Sequence, residues 1–207
     1  MEHVKKKLVW DFDKSNELLA WKGVATVCEE SRCPNRYECS QAGVATFLIG
    51  GSTCTRACRF CHIDTGKGEP FSQLKEREEE QIVQAALERN SSYVVITAVA
   101  RDDAESELAH HFSDITQRLI NHGIEVELLI PDFHGRPQHL DVVGASGAIV
   151  MAHNIETVER LSKAIRPQAR YDRSMQVYDW FHENYPELVL KAGLMVGLGE
   201  TKDELGE

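Results

Sequence analysis

The 207-residue chain has no cysteine outside positions 28–61, no long apolar run, no excess of basic residues and no low-complexity tract. Each absence excludes something. A bilayer-spanning helix needs roughly 20 consecutive apolar residues, and none of that length is present, so no membrane partner is expected. The opening MEHVKKKLVWDFDK is charged from its first turns and lacks the apolar core of a secretory leader. With 33 acidic against 23 basic residues and a net charge of −10, a broad nucleic-acid or anionic-membrane surface is excluded, since both select Lys and Arg. The KDEL string at Lys202–Leu205 is internal, so it is not a retention signal. These features predict a cytoplasmic protein. In that reducing compartment, clustered cysteines are more often metal ligands than disulfides.

What is present is a globular composition, 42% hydrophobic and 27% charged, sized for one ordinary domain. From Ala45 onward, apolar strand-like runs alternate with amphipathic helical patterns. The expected strands are Ala45–Gly50, Tyr93–Ala98, Ile124–Ile130, Ala148–Ala152 and Leu188–Val196. Most are continuous apolar runs, as parallel strands buried on both faces require. Helices are expected over Glu76–Arg89, around Leu108, Phe112, Ile115 and Leu119 with Gly123 as the cap, over Thr157–Ile165, and from Tyr171 to Tyr185. The pattern predicts an α/β fold of about five βα units, a partial (β/α) barrel over residues 45–207. Residues 1–44 show no strand alternation; they form an N-terminal extension with one short helix near Ser15–Lys22. After the last strand only Thr201-Lys-Asp-Glu204 follows, a capping box opening a helix. The barrel is therefore expected to be incomplete at its C-terminal end, with an open edge at the fifth strand.

The six cysteines form two triplets, Cys28-x4-Cys33-x5-Cys39 and Cys54-x3-Cys58-x2-Cys61. Three thiolates are one short of the four corners of a cubane iron–sulfur cluster, so each triplet suggests a cluster with one iron left for another ligand. The second triplet follows the first strand directly, at the strand end where βα-barrels place their chemistry. Phe60 is expected to shield a cluster there, and Arg56 and Arg59 to offset its negative charge. The alternative is zinc with His62 as fourth ligand, but zinc sites usually pair cysteines as two Cys-x2-Cys units.

The spacing Cys54-x3-Cys58-x2-Cys61, with an aromatic before the last cysteine, resembles the signature of radical S-adenosylmethionine (SAM) enzymes. Together with Cys28–Cys39 it resembles the lipoyl synthase family. The likeness includes ATFLIGGSTCTRACRFC at 45–61, YVVITAVARDD at 93–103, ELLIPDFHG at 127–135, HNIETVERL at 153–161 and GLMVGLGET at 193–201. The resemblance implies two 4Fe-4S clusters and SAM as cofactors. Cys54, Cys58 and Cys61 would hold the cluster that SAM chelates. Reductive cleavage of SAM then gives a 5′-deoxyadenosyl radical. Cys28, Cys33 and Cys39 would hold an auxiliary cluster that donates two sulfur atoms to C6 and C8 of an octanoyl chain. Its implied partners are an octanoylated lipoyl carrier domain and a one-electron reductant such as ferredoxin or flavodoxin. Asn154, Glu156, Arg166, Lys191, Gly197 and Gly199 match positions expected to contact SAM. A biotin-synthase-like sulfur inserter and a non-catalytic electron-transfer protein are the competing readings.

Three departures stand out. Ser106-Glu-Leu-Ala109 replaces the family's Asp-Gly-Gly-Ala, and Ala152 stands where the family has Asn. The family's C-terminal Arg-Ser-Ser-Tyr, whose serine completes the auxiliary cluster, is not found in the sequence. The chain is therefore expected to be a fragment, a truncated homologue or half of a split enzyme.

Overall fold

The computed structural model describes Thr26 and residues 44–206. The Cys28–Cys39 triplet and the Ser15–Lys22 helix lie outside the described residues. Five strands form one sheet in sequence order: β1 (Val44–Ile49), β4 (Tyr93–Ala98), β5 (Glu125–Leu129), β6 (Val150–Glu156) and β7 (Val189–Leu194). Every neighbouring pair in this sheet is parallel. Two short strands, β2 (Thr53–Cys54) and β3 (Asp64–Thr65), pair with each other after β1. The helices are α1 (Phe71–Glu88), α2 (Glu105–Ile120), α3 (Pro137–Gly144), α4 (Glu159–Ile165) and α5 (Tyr171–Asn184), with a 3-10 turn at Phe133–Gly135. Crossovers return each parallel strand beside the last, which gives the open βα arc of a partial barrel.

Register explains the two faces. Phe47, Ile96, Leu128, Met151 and Leu190 stand side by side across the five strands. They belong to one apolar cluster with Phe112, Ile115 and Leu119 of α2 and Val177 and Phe181 of α5. Each such buried side chain contributes roughly 1.5–3 kcal/mol. The next row, Leu48, Thr97, Leu129, Ala152 and Lys191, points to the opposite face.

The five expected strands exist, with ends shifted by a residue or two, but β6 runs on to Glu156. A register shift between Asn154 and Glu156 lets its pairing with β7 continue past the apolar stretch. Asn154 and Glu156 therefore lie within the strand's C-terminal end, not after it. Helix α1 begins at Phe71, directly after Pro70, ahead of the expected Glu76. Helix α2 ends as expected: Gly123 N–H donates to Ile120 O at 2.8 Å and Ile124 N–H to Leu119 O at 3.2 Å. Helix α3 was not foreseen; its signals were Pro137 at the first helical position and Leu140 and Val143 on one face. The Thr201–Glu204 capping box makes both reciprocal bonds, Thr201 N–H to Glu204 Oε2 at 2.8 Å and Glu204 N–H to Thr201 Oγ1 at 3.3 Å, yet closes a turn, not a helix.

Among the described residues β7 ends the sheet order, and Val189, Leu194 and Val196 are exposed there. At the other end, Thr26 forms an antiparallel bridge with Phe47 of β1. No helix among the described residues is long and apolar enough to cross a membrane.

Candidate metal centre

The cysteine loop leaves β1 through Gly50 and Gly51, both in the left-handed region at φ +83° and +88°. A side chain there would be strained, and the tight path turns two N–H groups the same way. The Glu78 carboxylate of α1 accepts both, at 3.0 and 2.9 Å, and also contacts His111 Nε2 of α2 at 2.7 Å. The loop is then laced to its surroundings. Thr55 N–H and Oγ1 both donate to Ala100 O beyond β4, and Asp102 N–H donates back to Thr55 Oγ1. On the other side Arg59 N–H donates to Ile165 O and Ala57 N–H to Gln168 Oε1. Gly66 N–H closes the loop onto Cys54 O at 2.9 Å.

This bracing opens a cavity of about 190 Å³ at the C-terminal ends of β4, β5 and β6. Cys54, Arg56, Cys58, Phe60 and Cys61 form one wall; Thr97, Leu129, Asp132, His153, Asn154, Glu156 and Arg166 are among the other lining residues. All three thiols are free. Eight residues singled out from sequence thus meet in one cavity: Cys54, Arg56, Cys58, Phe60, Cys61, Asn154, Glu156 and Arg166. Lys191, Gly197 and Gly199 do not line it. Lys191 lies on the inner sheet face with its Nζ 2.7 Å from Glu127 Oε1, while Tyr93 Oη donates to Glu127 Oε2 at 2.7 Å. The Gly197 turn folds onto Glu200, whose carboxylate accepts from Gly197 N–H and, at 2.8 Å, from Leu198 N–H.

Charge in the cavity is arranged in opposed pairs. Burial pushes the Cys58 thiol up; the Arg166 and Arg56 charges oppose this, and Cys54 and Cys61 add to it. Burial likewise raises Glu156, against the pull of Asn154 and Arg166. Burial lowers Arg166, against Glu156 and Cys58. Glu156 is also held at φ +67°, a left-handed conformation uncommon for a residue with a side chain. A half-buried carboxylate and a buried guanidinium lining one cavity suit a zwitterionic ligand. His153 is satisfied on both nitrogens, Nδ1 to Ile130 O and Nε2 to Ser174 Oγ, each at 2.9 Å, and burial depresses its pKa.

The donor set fits an iron–sulfur cluster. Soft thiolates select iron–sulfur or zinc. A tetrahedral zinc with bonds of about 2.3 Å would gather its sulfurs within about 4 Å of one another. The only described His, Cys, Asp and Glu trio whose ligand atoms all lie within 4.8 Å is Asp102, Glu105 and His134, so the cysteines are spread wider than one zinc ion holds them. A cubane separates its thiolates further, because each binds a different iron.

Several contributors went unnoticed in the sequence. Glu78 and His111 sit in ordinary amphipathic helices, and nothing local marks them as loop anchors. Asp132 lies three residues past the end of β5, a strand-end position that could have flagged it. Arg56 does more than offset charge: its guanidinium acts on Cys58 and is also buried and paired with Asp102 and Asp132. Arg59 is exposed. Ser106–Ala109 lies within α2, so no glycine-rich backbone lies there.

The sequence model of the radical SAM superfamily matches residues 48–207. The chain belongs to that superfamily, whose members bind a 4Fe-4S cluster and SAM. The relatives narrow the class. Over 192 residues the chain is 45% identical to a lipoyl synthase of Acidothermus cellulolyticus, covering 91% of this chain and 58% of the relative. It is 42% identical to a lipoyl synthase of Picrophilus torridus, covering 91% and 65%. It is also 42% identical to a lipoyl synthase of Caldicellulosiruptor saccharolyticus, covering 92% and 67%. Within the superfamily the chain is a member of the lipoyl synthase family, and it spans about three-fifths of the length of the first of these relatives.

Proposed function

We propose that this chain carries the radical-generating centre of a lipoyl synthase, which inserts two sulfur atoms at C6 and C8 of an octanoyl chain borne by a lipoyl carrier domain. The observation that carries this reading is the single cavity uniting Cys54, Cys58 and Cys61 with Asn154, Glu156 and Arg166 at the strand ends. The three cysteines hold one 4Fe-4S cluster. When bound, that cluster supplies the electron that cleaves SAM. The remaining work belongs to the protein. Arg166 receives a carboxylate and Glu156 with Asn154 an ammonium or ribose hydroxyls, matching the two ends of a zwitterion. Phe60 and Leu129 exclude water, which strengthens these contacts by lowering the local dielectric.

Cys28, Cys33 and Cys39 hold a second cluster that is consumed as the sulfur source; sulfide bridging an incompletely thiolate-ligated cluster is easier to release. Lys191, Gly197 and Gly199 are assigned to the approach to the cavity from β7. A ferredoxin or flavodoxin supplies electrons, and a cytoplasmic location suits the oxygen-sensitive centre. Anaerobic incubation with SAM, reductant and an octanoylated lipoyl-domain peptide, followed by mass spectrometry, tests the reading. A gain of two sulfurs supports it; a hydroxylated or desaturated peptide without sulfur, or no reductive cleavage of SAM, would refute it.

A further inference from the structure

The strongest unexplained feature beside the cavity is a buried ion network that begins inside the cysteine loop. Arg56 stands between Cys54 and Cys58, and its side chain is 8% exposed. Its Nη2 donates to Asp102 Oδ1 at 2.7 Å and to Asp132 Oδ1 at 2.6 Å, and its Nε reaches both Asp102 oxygens at 3.0 Å. Asp132 is fully buried; it also accepts from His134 N–H at 3.1 Å and from Arg173 Nη1 of α5 at 3.3 Å. The network therefore balances two guanidinium groups against two carboxylates. It joins the loop to the ends of β4 and β5 and to α5.

The backbone at the same residue is equally committed. Arg56 N–H points at Cys54 Sγ at 3.4 Å, and Arg56 O accepts from Thr65 Oγ1 at 3.5 Å. A rigid arginine fork satisfies two carboxylates in fixed directions, which a lysine ammonium cannot do. Any rotation of the loop that moved Cys54 relative to Cys58 would have to break this fork in a site with little water to replace it.

We propose that Arg56 is a positioning residue for the radical cluster: its fork on Asp102 and Asp132 fixes how Cys54 and Cys58 face the cavity. The proposal rests on the reading of Cys54, Cys58 and Cys61 as cluster ligands. It distinguishes geometry from electrostatics. An electrostatic role would survive in Arg56→Lys, which keeps the charge; a positioning role would not.

The test compares wild type, Arg56→Lys, Arg56→Gln and the milder Asp102→Asn as full chains. Each is reconstituted anaerobically, then assayed for iron release to a chelator and for cluster midpoint potential by spectroscopic titration. Supporting partners of metal ligands typically change affinity about 10–100-fold. Expected is release at least about tenfold faster in both Arg56 variants, an intermediate rate in Asp102→Asn, and an unchanged potential in whatever fraction of Arg56→Lys loads, since that variant keeps the charge. Wild-type release in Arg56→Lys, or an altered potential with unaltered release in Arg56→Gln, would overturn it. If an Arg56 variant fails to fold, judged by circular dichroism of the apo chain, Asp102→Asn decides alone: release at the wild-type rate overturns the proposal. Wild type that binds no iron through Cys54, Cys58 and Cys61 would instead overturn the functional reading.

Discussion

Replacing Glu78 with Ala should destabilise the whole chain and loosen the cysteine loop, although Glu78 touches no cysteine. Its carboxylate accepts from Gly50 N–H at 3.0 Å and Gly51 N–H at 2.9 Å and contacts His111 Nε2 at 2.7 Å, with only 12% of the side chain exposed. Hydrogen bonds to a charged group contribute roughly 1.5–3 kcal/mol each, and stranded donors lose their desolvation cost as well. The three share one acceptor and are not additive, so about 3–4 kcal/mol is expected in total. For a chain of this size that corresponds to a fall in melting temperature of about 10 °C. Glu78→Gln keeps one carbonyl acceptor and should lose roughly half as much. Thermal melts of the apo chain, with the exposed Glu80→Ala as control, give the comparison; surface changes of that kind stay within about 0.5 kcal/mol. A Glu78→Ala melt indistinguishable from Glu80→Ala would refute the clamp.

Three further outcomes follow from the geometry. A Cβ at Gly193 would clash with Asn154 Oδ1, so Gly193→Ala should push Asn154 out of place and weaken SAM binding by calorimetry while iron content stays at the wild-type level. Asp132 is depressed to about 2, since its bonds to and the charge of Arg56 outweigh the effect of burial. A lowered folded-state carboxylate stabilises above its unfolded value near 3.8 and loses that contribution as pH falls toward 2. Urea unfolding should therefore show Asp132→Asn less stable than wild type by about 2 kcal/mol at pH 7, with a gap that narrows by pH 3. Lys191→Ala should leave SAM affinity nearly unchanged and cost under about 1 kcal/mol in urea, because that lysine is largely exposed, pairs with Glu127 and does not line the cavity.

What was legible in the sequence was whatever repeats or alternates. The runs 93–98 and 124–130 declared themselves by unbroken apolar residues, and α2 by the spacing of Leu108, Phe112, Ile115 and Leu119. The cysteine spacing announced chemistry because soft ligands rarely cluster by chance. Harder to read was anything set by contact between distant segments. Glu78 clamps Gly50 and Gly51 from 28 and 27 residues away, and Arg56 meets Asp132 across 76. No local pattern encodes such partners. The end of β6 was misjudged for a related reason: Asn154 and Glu156 are polar, yet pairing with β7 keeps them in the strand. The pairing of Lys191 with Glu127 likewise emerges only when β5, β6 and β7 are laid side by side.

The central claim is that Cys54, Cys58 and Cys61 hold a cluster with one iron open to SAM. Electron paramagnetic resonance of the reconstituted, reduced chain, recorded before and after adding SAM, tests it directly. The account predicts a cluster signal whose shape changes when SAM binds, and the loss of that SAM-sensitive signal in Cys58→Ala. A spectrum identical with and without SAM, or a SAM-sensitive signal that persists in Cys58→Ala, would contradict it.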